Sequence, residues 1–263
     1  MMRVYAKEAW RLLILSAVVM LVIVLSSCGV RKVQPPPARP GKVVTHRVAF
    51  GETWRSIARD FYGDESRAKE IASYNGMKIG EKPEPGSGIR IPLKAGDAEH
   101  LEMRRKALSL YNDGLDLASK RRFAAAIETF DRALELDGGI EMARYNKAVC
   151  YQNLGMHDRA VKILEVLCRA NPKNVDYLFA LGNSFFYLGR YSEAEERFDA
   201  VLKIKSGHLK ALYALATVYE KEGRSEKAIE TWRRYLALDG TSEWADEARK
   251  HLSSLQGASG GRH

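Results

Sequence analysis

The sequence predicts a two-part fold: a small α+β module of order strand, helix, helix, strand (βααβ), followed by an all-α superhelical solenoid. Three observations predict it. Val44 to Leu93 has alternating apolar positions near its start and end and a helical apolar face between them. From Ala107 onward, four registers of apolar residues recur every 34 positions. Ahead of both lie an apolar run and a proline-rich stretch that cannot pack a core.

The chain opens with the basic residues Arg3, Lys7 and Arg11, diluted by Glu8, and then Leu12 to Leu25 carries no charge. At about 14 residues this run suits a secretory signal better than a spanning helix, which needs about 20. It ends at Leu25-Ser26-Ser27-Cys28. That junction resembles the lipobox of bacterial lipoproteins, in which cleavage precedes the cysteine and the thiol takes a diacylglyceryl group. The resemblance implies a lipoprotein signal peptide over residues 1–27, lipidation of Cys28 and a membrane held through that anchor. Two or three acyl chains anchor stably where one does not. The alternative is an ordinary cleaved signal in which Cys28 is a chance small residue. Gly29 stands where an aspartate would retain an enterobacterial lipoprotein in the inner membrane. The expected location is therefore the cell envelope, lipid-anchored and periplasm-facing, at the outer membrane.

Residues 28–43 form a linker containing Pro35, Pro36, Pro37 and Pro40. At about 3.1 Å per residue it would reach on the order of 45 Å. Arg31, Lys32, Arg39, Lys42 and Arg47 meet no acidic residue before Glu52, within a net charge of +9. Between Ala107 and Leu255 basic and acidic residues are equal in number. A basic segment beside a lipid anchor reads as attraction to an anionic surface, or simply as linker solubility. Nucleic acid is not an expected partner of an exported protein.

The module spans residues 44–94. Val44, His46 and Val48 alternate with polar residues, as in a short strand. Thr53 can cap a helix whose Trp54, Ile57, Ala58 and Phe61 share one face. Gly63 stops that helix. A second one, over Ser66 to Tyr74, buries Ala68, Ile71 and Ala72 and stops at Asn75-Gly76. Ile89 and Ile91 belong to the returning strand. The order Gly51-Glu52-Thr53-Trp54, Tyr74-Asn75-Gly76 and Ile89-Arg90-Ile91-Pro92 resembles the LysM domain, which binds glycans containing N-acetylglucosamine, chiefly peptidoglycan. The resemblance implies a shallow groove between two loops, formed by Gly51, Glu52 and Thr53 and by Asn75, Gly76, Met77, Lys78 and Ile79. Trp54 replaces the family's usual leucine and reads either as core or as a sugar contact. Thr53 as a cap and Asn75-Gly76 as a helix stop have structural roles as well.

After a short polar hinge at residues 95–100, the solenoid spans residues 101–255. Gly114, Ala148, Gly182 and Ala216 share one register; Ala126, Ala160, Ala194 and Ala228 share the next. Phe130, Leu164, Phe198 and Trp232 form a third, and Ala133, Leu167, Val201 and Tyr235 a fourth. Coincident registers at one period mark a repeat architecture. Leu154-Gly155, Leu188-Gly189 and Glu222-Gly223 mark turns. Period and residue types resemble tetratricopeptide (TPR) repeats, although the tryptophan usual in the first helix is absent. The repeats fall at 107–140, 141–174, 175–208 and 209–242. A capping helix follows at 243–255, as a solenoid requires, and then a disordered tail at 256–263.

The resemblance implies a concave face that receives a protein partner. Tyr111, Tyr145, Phe179 and Tyr213 occupy one repeat position and would line that groove or pack between helices. Asn146, Asn183 and Lys210 are candidate polar contacts there. The basic clamp of chaperone-cofactor members is missing, since aromatics hold its key positions.

No catalytic constellation, metal spacing or phosphate loop is visible, and no cofactor is implied. Cys150 and Cys168 could pair in an oxidising compartment, or serve as small buried residues. The expected function is a non-enzymatic envelope lipoprotein that binds peptidoglycan and scaffolds an unidentified protein partner. The alternative is an accessory subunit that recruits a cell-wall hydrolase or synthase; further off stands an enzyme with an unrecognised site.

Overall fold

The computed structural model describes residues 43–94 and 96–260, with side chains to residue 257. The expected signal peptide, Cys28 and the linker up to residue 42 lie outside the described residues. The described part divides into two compact units, one running to Ala143 and the other starting at Arg144.

In the first unit, strand β1 (Val43–Arg47) pairs antiparallel with β2 (Gly88–Pro92), with Val44 opposite Ile91 and His46 opposite Ile89. Between them lie α1 (Trp54–Tyr62), a 3-10 turn (Glu65–Arg67) and α2 (Ala68–Tyr74). Thr53 caps α1: its hydroxyl accepts from Ser56 N–H, and Ser56 Oγ accepts from Thr53 N–H. Gly63 ends α1 in the left-handed region at φ 70°, where a side chain would be strained. Val44, Val48, Trp54, Ile57, Phe61, Ile71, Ile89 and Ile91 form one buried core.

Helix α3 (Asp97–Ser119) packs against α4 (Phe123–Leu136) in the same unit. The polar segment read as a hinge is thus largely helical, beginning at Asp97. Three features account for this. Gly96 turns the chain at φ 97°. Asp97 and Glu99 favour a helix start. Leu101 is buried in the core of the βααβ module itself. Charge adds to the joint: Arg67 donates to Asp97 at 2.6 and 3.1 Å and to Glu70 at 2.9 Å, and stacks over the Tyr62 ring. Buried Arg104 donates to Asp60 at 2.6 Å and also to Asp137 at the end of α4.

Helix α5 (Glu141–Asn153) opens the second repeat, and α6 (His157–Ala170) completes it. Then come α7 (Val175–Tyr187) with α8 (Tyr191–Ile204), α9 (Leu209–Lys221) with α10 (Ser225–Leu238), and α11 (Glu243–Gly260). The helix-to-helix turns use Gly155, Gly189 and Gly223 at φ 70–73°. The equivalent residue of the first repeat is Arg121, the one described non-glycine at positive φ (58°). Close helix pairing rests on small residues: a Cβ on Gly182 would stand 2.7 Å from the Phe198 ring, and one on Gly114 2.5 Å from Phe130. Between repeats, the Gln152 amide donates to the Ala180 carbonyl at 2.6 Å and to buried Ser184 at 2.7 Å.

The last helix runs five residues past the expected end at Leu255, so the start of the expected disordered tail is helical. No proline interrupts it, and extending a formed helix through glycine costs only about 1 kcal/mol per residue. None of the described helices is long and apolar enough to cross a membrane.

Candidate functional site

Two loops of the βααβ module are held side by side. The first, residues 48–53, is anchored at both ends. Val48 N–H donates to Ser87 O at 2.9 Å, and Gly86 N–H to Val48 O at 2.8 Å. The Glu52 carboxylate accepts from Ala49 N–H at 2.6 Å and bonds His46 Nε2 at 2.8 Å. Burial alone would raise the Glu52 pKa, but these two bonds hold it below the usual range. The second loop, residues 75–81, is tied to the first by the Trp54 indole, which donates to Glu81 O at 2.5 Å. Trp54 is therefore core, with its polar edge spent on this bond.

The residues assigned to the groove divide by role. Glu52 braces its loop, and Thr53 caps α1. Asn75 is a strut: its amide donates to Ile71 O and Arg90 O, and its carbonyl accepts from Arg90 N–H, at 2.7–2.8 Å. Met77 packs partly buried against the core. Gly51 and Gly76 take positive φ at the surface, and Lys78 and Ile79 are exposed. Sequence reasoning missed Phe50, which is 84% exposed on the braced first loop. Its parity with Val44, His46 and Val48 places it on the inward side of an extended strand. The strand instead ends at Arg47 and the chain turns outward.

In the repeats, the aromatic row does not line an open groove. Tyr111, Tyr145 and Phe179 are only 3%, 5% and 8% exposed. Within a repeat, Tyr111 meets Phe130, Phe179 meets Phe198 and Tyr213 meets Trp232, at centroid distances of 5.9, 5.7 and 4.7 Å. The reason is helical geometry. Each row member precedes the small residue of its helix by three positions, so both face the partner helix. Tyr213 is half-buried, and burial pushes its hydroxyl up to about 12. Asn146, Asn183 and Lys210 are partly exposed.

The exposed apolar residues of the second unit sit elsewhere. Tyr187 is 50% exposed, stacked on His157 at 4.7 Å and 10°, with Phe186 edge-on to it at 5.6 Å. Leu154 and Met156, on the turn before His157, are exposed too. The run Phe185-Phe186-Tyr187 was the available sequence signal, since repeats two and four carry polar residues at the last two of these positions. Cys150 and Cys168 are free and buried, and burial pushes their thiols up to about 12 and about 11. They serve as packing residues.

Comparison with known proteins agrees with the helical part. A tetratricopeptide-repeat family profile matches residues 179–243, and that of "Anaphase-promoting complex, cyclosome, subunit 3" matches residues 119–201. Small glutamine-rich tetratricopeptide repeat-containing protein 2 of Mycosarcoma maydis is 29% identical over 38% of this chain and 28% of its own. Photosystem I assembly protein Ycf3 of a Synechococcus strain is 30% identical over 36% of this chain and 57% of its own. The chain spans about a quarter of the length of the first curated relatives it matches. Among solved structures, YrrB, "a TPR protein with an unusual peptide-binding site", superposes with a TM-score of 0.51 at 23% identity, covering 59% of this chain and 79% of its own. MamA from Desulfovibrio magneticus RS-1 gives 0.51 at 19% identity, covering 56% and 82%. The helical region therefore carries tetratricopeptide repeats. The chain is thus a helical-repeat protein.

Proposed function

We propose that this protein binds peptidoglycan through residues 44–94, is held in the cell envelope by lipid on Cys28, and presents its repeats to a protein partner without catalysing a reaction itself. The observation that carries the glycan reading is the loop pair. Residues 48–53 are braced by Glu52, locked to residue 81 through Trp54, and carry Phe50 and Gly51 outward beside the motif that resembles LysM. A braced loop loses little entropy on binding, which suits a small module with few contacts. A tether on a membrane anchor raises its effective concentration at the wall, so modest affinity suffices. On the repeats, the partner contact falls on the Tyr187 cluster rather than on the buried aromatic row.

Pelleting with purified sacculi tests the first claim. The mature chain should pellet, and Phe50→Ala together with Ile79→Ala should reduce retention. Point variants are preferable to deleting residues 44–94, which would expose Leu101. Release of soluble muropeptides by the purified protein would contradict the non-catalytic part. A photoreactive residue at position 187 should crosslink the partner in cells, whereas one at 179 should not.

A further inference from the structure

We propose that His251 is a proton-dependent latch that fastens α11 over the aromatic end of the fourth repeat. The imidazole of His251 on α11 stacks on the Trp232 ring of α10, at 5.1 Å and 20°. Its Nδ1 lies 3.0 Å from Glu220 Oε2 on α9. The other oxygen of that carboxylate accepts the Trp232 indole N–H at 2.5 Å. One carboxylate thus joins three helices, and His251 is the member supplied by the cap. The cap closes an aromatic cluster to which it adds Trp244: Tyr213 meets Trp232, Tyr235 and Trp244 edge-on, at 4.7–5.7 Å. A cap helix that lifts would expose this cluster.

The groups facing the imidazole favour its charged form. Glu220 stands on α9 with Lys221 beside it, Glu247 on α11 lies 3.9 Å from Nε2, and Lys250 pairs with Glu247 at 3.1 Å. Trp232 on α10 is uncharged, and the Tyr213 hydroxyl is held neutral by burial up to about 12. The hydrogen bond to Glu220, together with the Glu220 and Glu247 charges, outweighs burial and Lys221, so the His251 pKa is raised. Glu220 is held below its usual value by His251 and Trp232 against the effect of burial. A raised histidine contributes stability that is complete below its unfolded value of about 6.5 and is lost as pH climbs through the raised one. The latch is closed in mild acid and opens toward alkaline pH.

Amide hydrogen exchange over α11, corrected for the intrinsic pH dependence, tests this at pH 6 and pH 8.5. Protection should fall several-fold at the higher pH. His251→Gln keeps a donor but cannot take a proton, and should give the same reduced protection at both. Equal wild-type protection at both pH values, or an unchanged pH dependence in His251→Gln, would overturn the proposal. NMR titration of the wild-type imidazole is independent of any variant's folding. Titration at or below the ordinary histidine value would overturn the latch, and titration above it would support it.

Discussion

Gly182 and Phe198 show at single-residue scale how this chain stores its packing rule. Where the second helix carries Phe, at positions 130 and 198, the first helix carries Gly, at 114 and 182; where it carries Leu164 or Trp232, the first carries Ala148 or Ala216. Gly182→Ala should cost about 1–3 kcal/mol, because its Cβ would stand 2.7 Å from the Phe198 ring within two packed helices. Phe198→Leu in the same chain should recover part of that loss, as read by thermal or urea unfolding. The alternation is visible in the sequence, whereas the aromatic row reads there either as groove lining or as packing between helices. What the row's repeat period could not convey was which face it marked. In the βααβ module, Phe50→Ala should change stability little, because the ring is 84% exposed, while lowering sacculus retention on the order of tenfold.

Turns and caps govern the elements. Three of the four repeat turns place glycine at positive φ, and these were legible as dipeptides. The first turn was not, because Arg121 takes the left-handed conformation without the residue that signals it. That conformation costs a non-glycine residue roughly 1–2 kcal/mol, partly offset by the entropy glycine would lose. Arg121→Gly should therefore raise stability by about 0.5–1 kcal/mol, measured as a shift of the denaturant midpoint with unchanged slope. The sequence reads helix α3 from residue 101 and leaves only its first turn, Asp97 to His100, in the hinge. Its first turns, from Asp97, are polar on the exposed side and held by partners distant in sequence: Arg67, Asp60 and the module core receiving Leu101. Local pattern carries no record of such contacts, which is why the start of a helix read as a hinge.

For the whole molecule, that joint changes what the glycan-binding reading means. The βααβ module and the first helical pair share a core residue and a buried arginine, so they form one compact unit rather than a bead on a flexible string. Arg104→Ala would leave Asp60 and Asp137 without their common partner. It should destabilise this unit by about 2–3 kcal/mol, less than the roughly 3–5 of a fully enclosed pair because Asp60 is partly exposed. Unfolding followed by hydrogen exchange should assign that loss to residues 43–143 and spare the later repeats. The central claim is that the two braced loops of the module are the glycan-binding face. The most direct measurement is an amide-shift titration of the isotope-labelled mature chain with soluble peptidoglycan glycan fragments. Shifts should be confined to residues 49–53 and 75–81; no shifts, or shifts centred on the repeats, would rule out these loops as the glycan-binding face.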